Sequence, residues 1–515
     1  MSGAVRRAKR AGAALMLAAA LTECATAGTR GPVSEATLSR TGVRRLADSL
    51  VNTRQFSNAH WGILIVHPAG GDTLYSHEAG KLFVPASNQK ILTTAVAFAQ
   101  LGPDFRFRTI VGTTGAVRDG TLGGDLIVIG RGDPSVSTAM RTDALAPLRD
   151  LADSLAARGI RRIAGRLVEA GDAFPGPNIA TGWEWDDLDA AYGAGVDELM
   201  LNEGFARIVT RGGPLAGAPA VVTTSPAASY PPVRNEAVTV DARSATIGQS
   251  QTADSTRRAT RLRVVRDTTT GGVLVTGTIA AGDSSVATIS LQDPAYAYLA
   301  ALREAMAARG ITVDSGIGRR LSDSAMIGLD TLLVVESPPL REILPILSKP
   351  SQNQIAEILF KTLGLERTGI GSPDSGRRVV ERQVIAWGAA PDGFAVQDGS
   401  GLSRHNMVSP ETIVRVLDAM RRDSLFAVYE ASFPVAGIDG TLERRMRGTP
   451  AEGNVHAKTG TLARARSLSG YVTTRDGELL IFSMLANNFT TSVDDVTRVQ
   501  DVLASALAAM EWFRR

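Results

Sequence analysis

Pro85-Ala86-Ser87-Asn88-Gln89-Lys90-Ile91-Leu92-Thr93-Thr94 opens a run of good helix formers that lasts to Leu101 and stops at Gly102-Pro103. The pattern predicts a helix over 87–101. Ser87 then stands at the helix start, with Lys90 one turn later on the same face. A serine hydroxyl is a poor nucleophile until its proton is removed, and a neutral amine one turn away is in reach to remove it. The N–H groups of that first turn point towards whatever the serine attacks.

Two more short patterns follow in order, Ser351-Gln352-Asn353 and Lys458-Thr459-Gly460. Each alone is weak in a chain of 515 residues; no other lysine has a serine three positions before it, and no other asparagine has a serine two before it. The chain holds 55 Lys+Arg but only six lysines, two of them in these patterns. Arginine cannot accept a proton at neutral pH, whereas lysine can once burial or a nearby cation lowers its pKa. A coding bias explains the arginine excess but leaves the placement of Lys90 and Lys458 to chance.

Together the three patterns describe a serine acyltransferase with a lysine base. In this scheme Lys458 supplies the field that depresses Lys90, Ser351 relays a proton to the leaving amine, and Asn353 orients Lys90 or a substrate amide. Gly460 lets a substrate backbone lie close along its strand. The N–H groups of Ser87 and Thr461 form the oxyanion hole, and Thr459 joins Lys458 in holding a terminal carboxylate.

Outward from the helix, 62–67 and 72–76 read as two strands joined by Pro68-Ala69-Gly70-Gly71. Near the other end, 455–459, 467–473 and 479–486 read as strands, with Asp476-Gly477 as a hairpin turn, and 493–512 as a closing helix. The expected fold is α+β, an antiparallel sheet flanked by helices and built from both ends of the chain. Residues 28–104 and 333–515 form this discontinuous catalytic part, and 105–332 form an inserted β-rich region. The Pro/Ala/Thr/Arg-rich stretch 211–270 is a nested subdomain or an excursion.

Residues 1–27 read as a secretory leader: Arg6, Arg7, Lys9 and Arg10, an apolar stretch, then Ala25-Thr26-Ala27 as a cleavage site. These carry four bases and one acid, so the remaining chain is balanced in charge and gives no argument for nucleic acid. Cys24 is the only cysteine. Lipidation there is an alternative, disfavoured because Glu23 stands where lipoprotein signals want a small residue. Cleavage after Ala27 leaves no cysteine and no disulfide.

At these residues the chain resembles the D-Ala-D-Ala carboxypeptidase/endopeptidase family of class C penicillin-binding proteins, of the penicillin-binding protein 4 type. The likeness extends to Gly130-Arg131-Gly132-Asp133-Pro134, Gly182-Trp183 with Trp185 and Asp187, Asp293-Pro294, Asp398-Gly399-Ser400-Gly401-Leu402-Ser403-Arg404, and His456 to Leu462. The resemblance implies a penicillin-recognising fold, cleavage of peptidoglycan stem peptides through a covalent acyl-enzyme, and inhibition by β-lactams at the same serine. It also implies a periplasmic or cell-wall location and no metal or other cofactor. A pocket for the diaminopimelate side chain carries over onto Asp187, Tyr192 and Arg404, with Glu184 standing where some relatives have an aromatic. Asp187 as a structural cap and Arg404 as a salt-bridge partner are the plainer readings of those two residues.

The five histidines lack metal-ligand spacing, and there is no G-x-S-x-G elbow. On the same fold a β-lactamase or esterase is the alternative, and it needs a water-activating group, for which Glu357 is a candidate without support. A non-catalytic, exported peptidoglycan-binding protein is the other alternative. The intact Ser87, Lys90, Ser351, Asn353 and Lys458 argue against it.

Overall fold

The computed structural model describes residues 38–241, 260–267, 269–318, 320–321 and 327–513. The expected leader and Cys24 lie outside these residues. A five-stranded antiparallel sheet runs in the order Asp72–His77, His60–His67, Leu479–Asn487, Ala465–Thr473, His456–Leu462, so the first two strands pair with the last three. Leu479–Asn487 is buried on nearly every residue because it is central and covered on both faces. Tyr471, Ile481 and Leu485 join the core under helix Pro410–Arg421, and Val493–Ala509 packs on the opposite face. The fold is α+β, as the sequence pattern predicts.

Two of the boundaries that differ from expectation, both near the end of the chain, do so for local reasons. The lysine strand continues to Leu462 and turns tightly, with Arg464 at φ +61° and Leu462 paired to Ala465. The last helix stops at Ala509 rather than at 512, because Met510 is extended and its carbonyl accepts the Arg475 N–H, 2.9 Å. Asp476 in the hairpin turn then accepts the N–H groups of Trp512 (2.9 Å) and Phe513 (3.1 Å). The turn captures the backbone that a longer helix would have used.

The serine helix spans Gln89–Leu101, closed by Gly102 at φ +83°, and is buried from Gln89 through Phe98. It packs against Asn353–Thr368, the helix that begins with the second pattern. That helix in turn lies tightly on Pro373–Ala386 through two glycines. A Cβ on Gly364 would sit 2.8 Å from the Gly376 nitrogen, and one on Gly376 would collide with the Phe360 carbonyl. Removing side-chain bulk at this crossing seats the helix that carries Asn353.

Residues between the two halves build a second hydrophobic core, with helices Ala146–Ala157 and Pro294–Ala307 among small sheets. The region is mixed rather than purely β. Arg108–Thr113 pairs with Asp330–Glu336, so its sheet runs past residue 332. The sheet in the expected nested segment draws in Val273–Ala280, beyond residue 270.

Gly376→Ala should cost about 1–3 kcal/mol by overpacking. A fall in the urea midpoint with an unchanged m-value would show this, and a wild-type midpoint would show that the helix pair has slack.

Candidate active site

Ser87 lies in a single 3-10 turn, Ala86–Asn88, immediately before the helix, and Ala86 adopts φ +49°. This unusual conformation for a residue with a side chain is held from outside. Asn88 Nδ2 donates to the Lys458 carbonyl (2.8 Å), 370 residues away in sequence, and Ser467 Oγ donates to the Pro85 carbonyl (2.7 Å). The turn is thus fastened to the edge strand. Gly460 owes its identity to this junction: a Cβ there would lie 2.8 Å from the Ser87 nitrogen and from the Pro85 oxygen. The serine turn itself makes a close approach to Gly460, in addition to the approach expected of a substrate.

Lys90 is 1% exposed and its Nζ meets three acceptors: Ser87 Oγ at 2.9 Å, Asn353 Oδ1 at 2.6 Å and the Ser400 carbonyl at 2.7 Å. An ammonium satisfies all three as a donor. A neutral amine donates to Asn353 and Ser400 and turns its lone pair to the Ser87 hydroxyl, the arrangement a base requires. Burial brings the Lys90 pKa down to about 7, against the pull of the Asp398 and Glu357 carboxylates, which favour the charged form. The depression of Lys90 thus comes from burial, and the expected field of Lys458 is not among its causes. Mutual repulsion shows on Lys458 instead, held well below the ordinary lysine range by burial first, then by Lys90 and Arg466.

Lys458 Nζ donates to Ser351 Oγ (2.7 Å) and to the Thr459 carbonyl (2.8 Å), and Ser351 takes φ +68° just before its helix. The Thr459 hydroxyl donates to Thr441 Oγ1 (2.7 Å), and the Thr461 hydroxyl accepts from Arg466. Ser87, Ser351, Asn353 and Thr461 open on a cleft of about 550 Å³ whose far wall carries Asp187, Tyr192 and Arg404. Lys90, Lys458, Thr459 and Gly460 are buried behind them.

Apart from Arg404, the far wall is a strap, residues 183–194, tied down at several points. Asn353 Nδ2 donates to the Tyr192 carbonyl (2.8 Å), and Gln354 Nε2 donates to Ala191, Tyr192 and Ala194 carbonyls at 3.0–3.2 Å. Trp183 Nε1 donates to Asp398 Oδ2 (3.0 Å). Tyr192 donates its hydroxyl to Asp187 Oδ1 (2.6 Å), a contact that raises the phenol pKa to about 12. Arg404 pairs with Glu184 (2.6 Å) and donates to the Ala463 carbonyl (3.0 Å), so it is both a wall residue and a salt-bridge partner.

Gln354, Trp183 and the Ser400 carbonyl were not among the expected site residues. A backbone acceptor leaves no trace in side-chain patterning. Glu357 does have one, four residues after Asn353 on the same helix face. It does not line the cleft; it accepts the N–H groups of Gly399 (3.1 Å) and Ser400 (2.7 Å), a position unsuited to activating a water over Ser87.

The sequence profile of the D-Ala-D-Ala carboxypeptidase 3 (S13) family matches residues 43–510. A D-alanyl-D-alanine carboxypeptidase of Actinomadura sp. (strain R39) is 34% identical over 480 residues, covering 91% of this chain and 85% of that protein. The D-alanyl-D-alanine carboxypeptidase DacB of Haemophilus influenzae is 27% identical over 428 residues, covering 81% and 82%. The crystal structure of penicillin binding protein 4 (dacB) from Haemophilus influenzae is similar in fold, with a TM-score of 0.74 at 24% identity over 90% of this chain and 99% of that one. With a serine turn, a buried lysine and a relative above a third identical across nearly its whole length, the chain is a serine-type peptidase and belongs to the D-Ala-D-Ala carboxypeptidase 3 (S13) family.

Proposed function

We propose that this enzyme hydrolyses the terminal D-Ala-D-Ala bond of peptidoglycan stem peptides, and the D-Ala-diaminopimelate cross-link by the same chemistry, through an acyl-enzyme on Ser87. The observation that carries it is the buried Lys90 amine 2.9 Å from Ser87 Oγ, with its two other contacts made to fixed acceptors. Ser87 Oγ attacks the D-Ala carbonyl carbon and its proton passes to Lys90 Nζ. The N–H groups of Ser87 and Thr461 receive the oxyanion. The C–N bond breaks as the leaving amine takes a proton through Ser351 Oγ, which Lys458 resupplies. Lys90 gives its proton up to solvent in the open cleft and Lys458 regains one; water then attacks the ester carbonyl, passing a proton to Lys90, which returns it to Ser87 Oγ as the acyl C–O bond breaks.

Asp187 and Tyr192 take the amino end of the substrate side chain, and Arg404 with Glu184 borders it. Lys458 and Thr459 hold the terminal carboxylate. A β-lactam acylates the same serine, but its leaving amine stays tethered, so the adduct persists. The substrate places the enzyme outside the cytoplasm, in the periplasm or at the cell wall. Among the described residues no helix is long and apolar enough to cross a membrane. The sheet drawn from both chain ends supports reading 28–104 and 333–515 as one catalytic part around the insertion at 105–332. The pairing of Arg108–Thr113 with Asp330–Glu336 favours a second junction nearer residue 337.

Intact mass after incubation with benzylpenicillin, a peptide map and an assay of D-alanine release from a pentapeptide test this reading together. A lasting adduct on Ser87 with D-alanine release is expected; a folded protein with neither would overturn it. Ser87→Ala should form no adduct, and Lys90→Arg, which keeps charge but loses basicity, should slow acylation about 10²–10⁴-fold. Because Lys90 must be neutral to act, acylation should fall as pH drops through about 7 and level off above it. Asp187→Ala should raise KM for peptides with a free diaminopimelate amine more than it slows penicillin acylation, and equal losses would remove Asp187 from the pocket.

A further inference from the structure

Helix Asn353–Thr368 sends two side chains towards the Lys90 amine from positions four apart. Asn353 Oδ1 contacts it directly, 2.6 Å, whereas Glu357 reaches it through a backbone segment. Gly399 and Ser400 lie between two helices in a fixed polarity. Their N–H groups point to Glu357 at 3.1 and 2.7 Å, and their carbonyls accept from the serine helix, Gly399 from Thr93 Oγ1 at 2.7 Å and Ser400 from Lys90 Nζ at 2.7 Å. The fit is close, since a Cβ on Gly399 would stand 2.6 Å from the Ala356 carbonyl. Glu357 is 4% exposed, so its carboxylate was placed out of water at a cost that two N–H contacts only partly offset.

The neighbouring carboxylate has a different task. Asp398 accepts from Gly401, Ser403, Asn406 and Trp183, which shapes the loop and joins it to the strap. The charged and titratable groups facing this centre are Lys90 from the serine helix, Asp398 from the loop, Lys361 from Glu357's own helix, and Lys458 from the edge strand, itself faced by Arg466. Burial and the Asp398 charge push the Glu357 carboxyl upwards, while its contacts with Ser400 and Gly399 pull it down.

We propose that Glu357 is a positioning residue for the base: its carboxylate aims the Ser400 carbonyl at Lys90 and its charge governs how readily Lys90 sheds a proton. The inference rests on Lys90 acting as the base, and its test separates the two. With Glu357→Gln the shape is kept and the charge is lost, so Lys90 loses a neighbour that favours its protonated form. With Glu357→Asp the charge is kept and the reach is shortened.

The acylation rate by benzylpenicillin, read by quenched-flow mass spectrometry from pH 5 to 9 on the full chain, distinguishes these effects. In Glu357→Gln the midpoint of the acid limb should move to lower pH by at most about one unit, because the wild-type carboxyl, pushed up to about 7, loses its own charge over the same range. In Glu357→Asp the midpoint should stay and the plateau should fall about 10-fold, as expected for a base displaced from its acceptors. A lowered plateau with no midpoint shift in Glu357→Gln would leave Glu357 a purely structural residue. Should that variant not fold, a wild-type plateau in Glu357→Asp would overturn the aiming role and with it the proposal. Failure of wild type to acylate at all would strike the lysine-base reading instead.

Discussion

Everything in this active site depends on keeping one amine out of water. In solution Lys90 would hold its proton at neutral pH, and a serine beside it would remain an alcohol. Burial removes the solvent that stabilises the ammonium, and three acceptors then decide where the nitrogen sits. Those acceptors come from three places: the turn just before its own helix, the helix at 353 and the loop at 400. The catalytic part can assemble its base only when distant segments have packed. That couples the chemistry to the fold, and it accounts for the buried glycine contacts at Gly460 and Gly364, where a methyl group would hold those segments apart.

The same constraint joins recognition to catalysis. Asn353 offers its oxygen to Lys90 and its amide nitrogen to the Tyr192 carbonyl, so one side chain touches both the base and the strap carrying the substrate wall. Asp398 does the equivalent from the other side, shaping the loop that supplies the Ser400 carbonyl while receiving Trp183 from the strap. Residues 183–194 therefore contribute a wall of the cleft that is hydrogen-bonded to Asp398 through Trp183 and to Asn353 through Tyr192. On the proposed function, a peptide seated against Asp187 and Tyr192 would rest on a surface whose backbone is held by Asn353, which also holds Lys90.

What was legible in the chain follows from which interactions are local. Ser87 and Lys90 are one helical turn apart, so their meeting is a property of spacing, and the hairpin at Asp476-Gly477 announces its strands in the same way. Lys458 could be placed beside them because the strand patterns at both ends needed one sheet. The Ser400 carbonyl could not, because a main-chain acceptor has no residue identity. Gly460 has a second reason to be small: a glycine in a strand signals a close approach, and the three-dimensional packing shows that the Ser87 turn makes one. The helix end at Ala509 was hidden for a similar reason, since it is set by Asp476 capturing the N–H groups of Trp512 and Phe513.

The scarcity of lysine acquires a physical meaning once burial is known. Among the described residues three lysines are buried, Lys90, Lys361 and Lys458, and no arginine is. Arginine keeps its charge in any protein environment, so burying it demands a partner anion and a full set of acceptors. Lysine can instead give up its proton. Lys361 shows the same logic, with the Pro177 and Val196 carbonyls at 3.5 Å and the Phe174 ring at 5.6 Å, and burial lowers its pKa against the pull of Glu357, Asp197 and Glu198. Where a cation serves the surface this chain mostly uses arginine, as at Arg404 with Glu184 and Arg320 with Glu169 and Asp197, with Lys81 and Lys349 the exceptions among the described residues. Where the interior needs a nitrogen that can be neutral it uses lysine, and two of those three nitrogens flank the cleft.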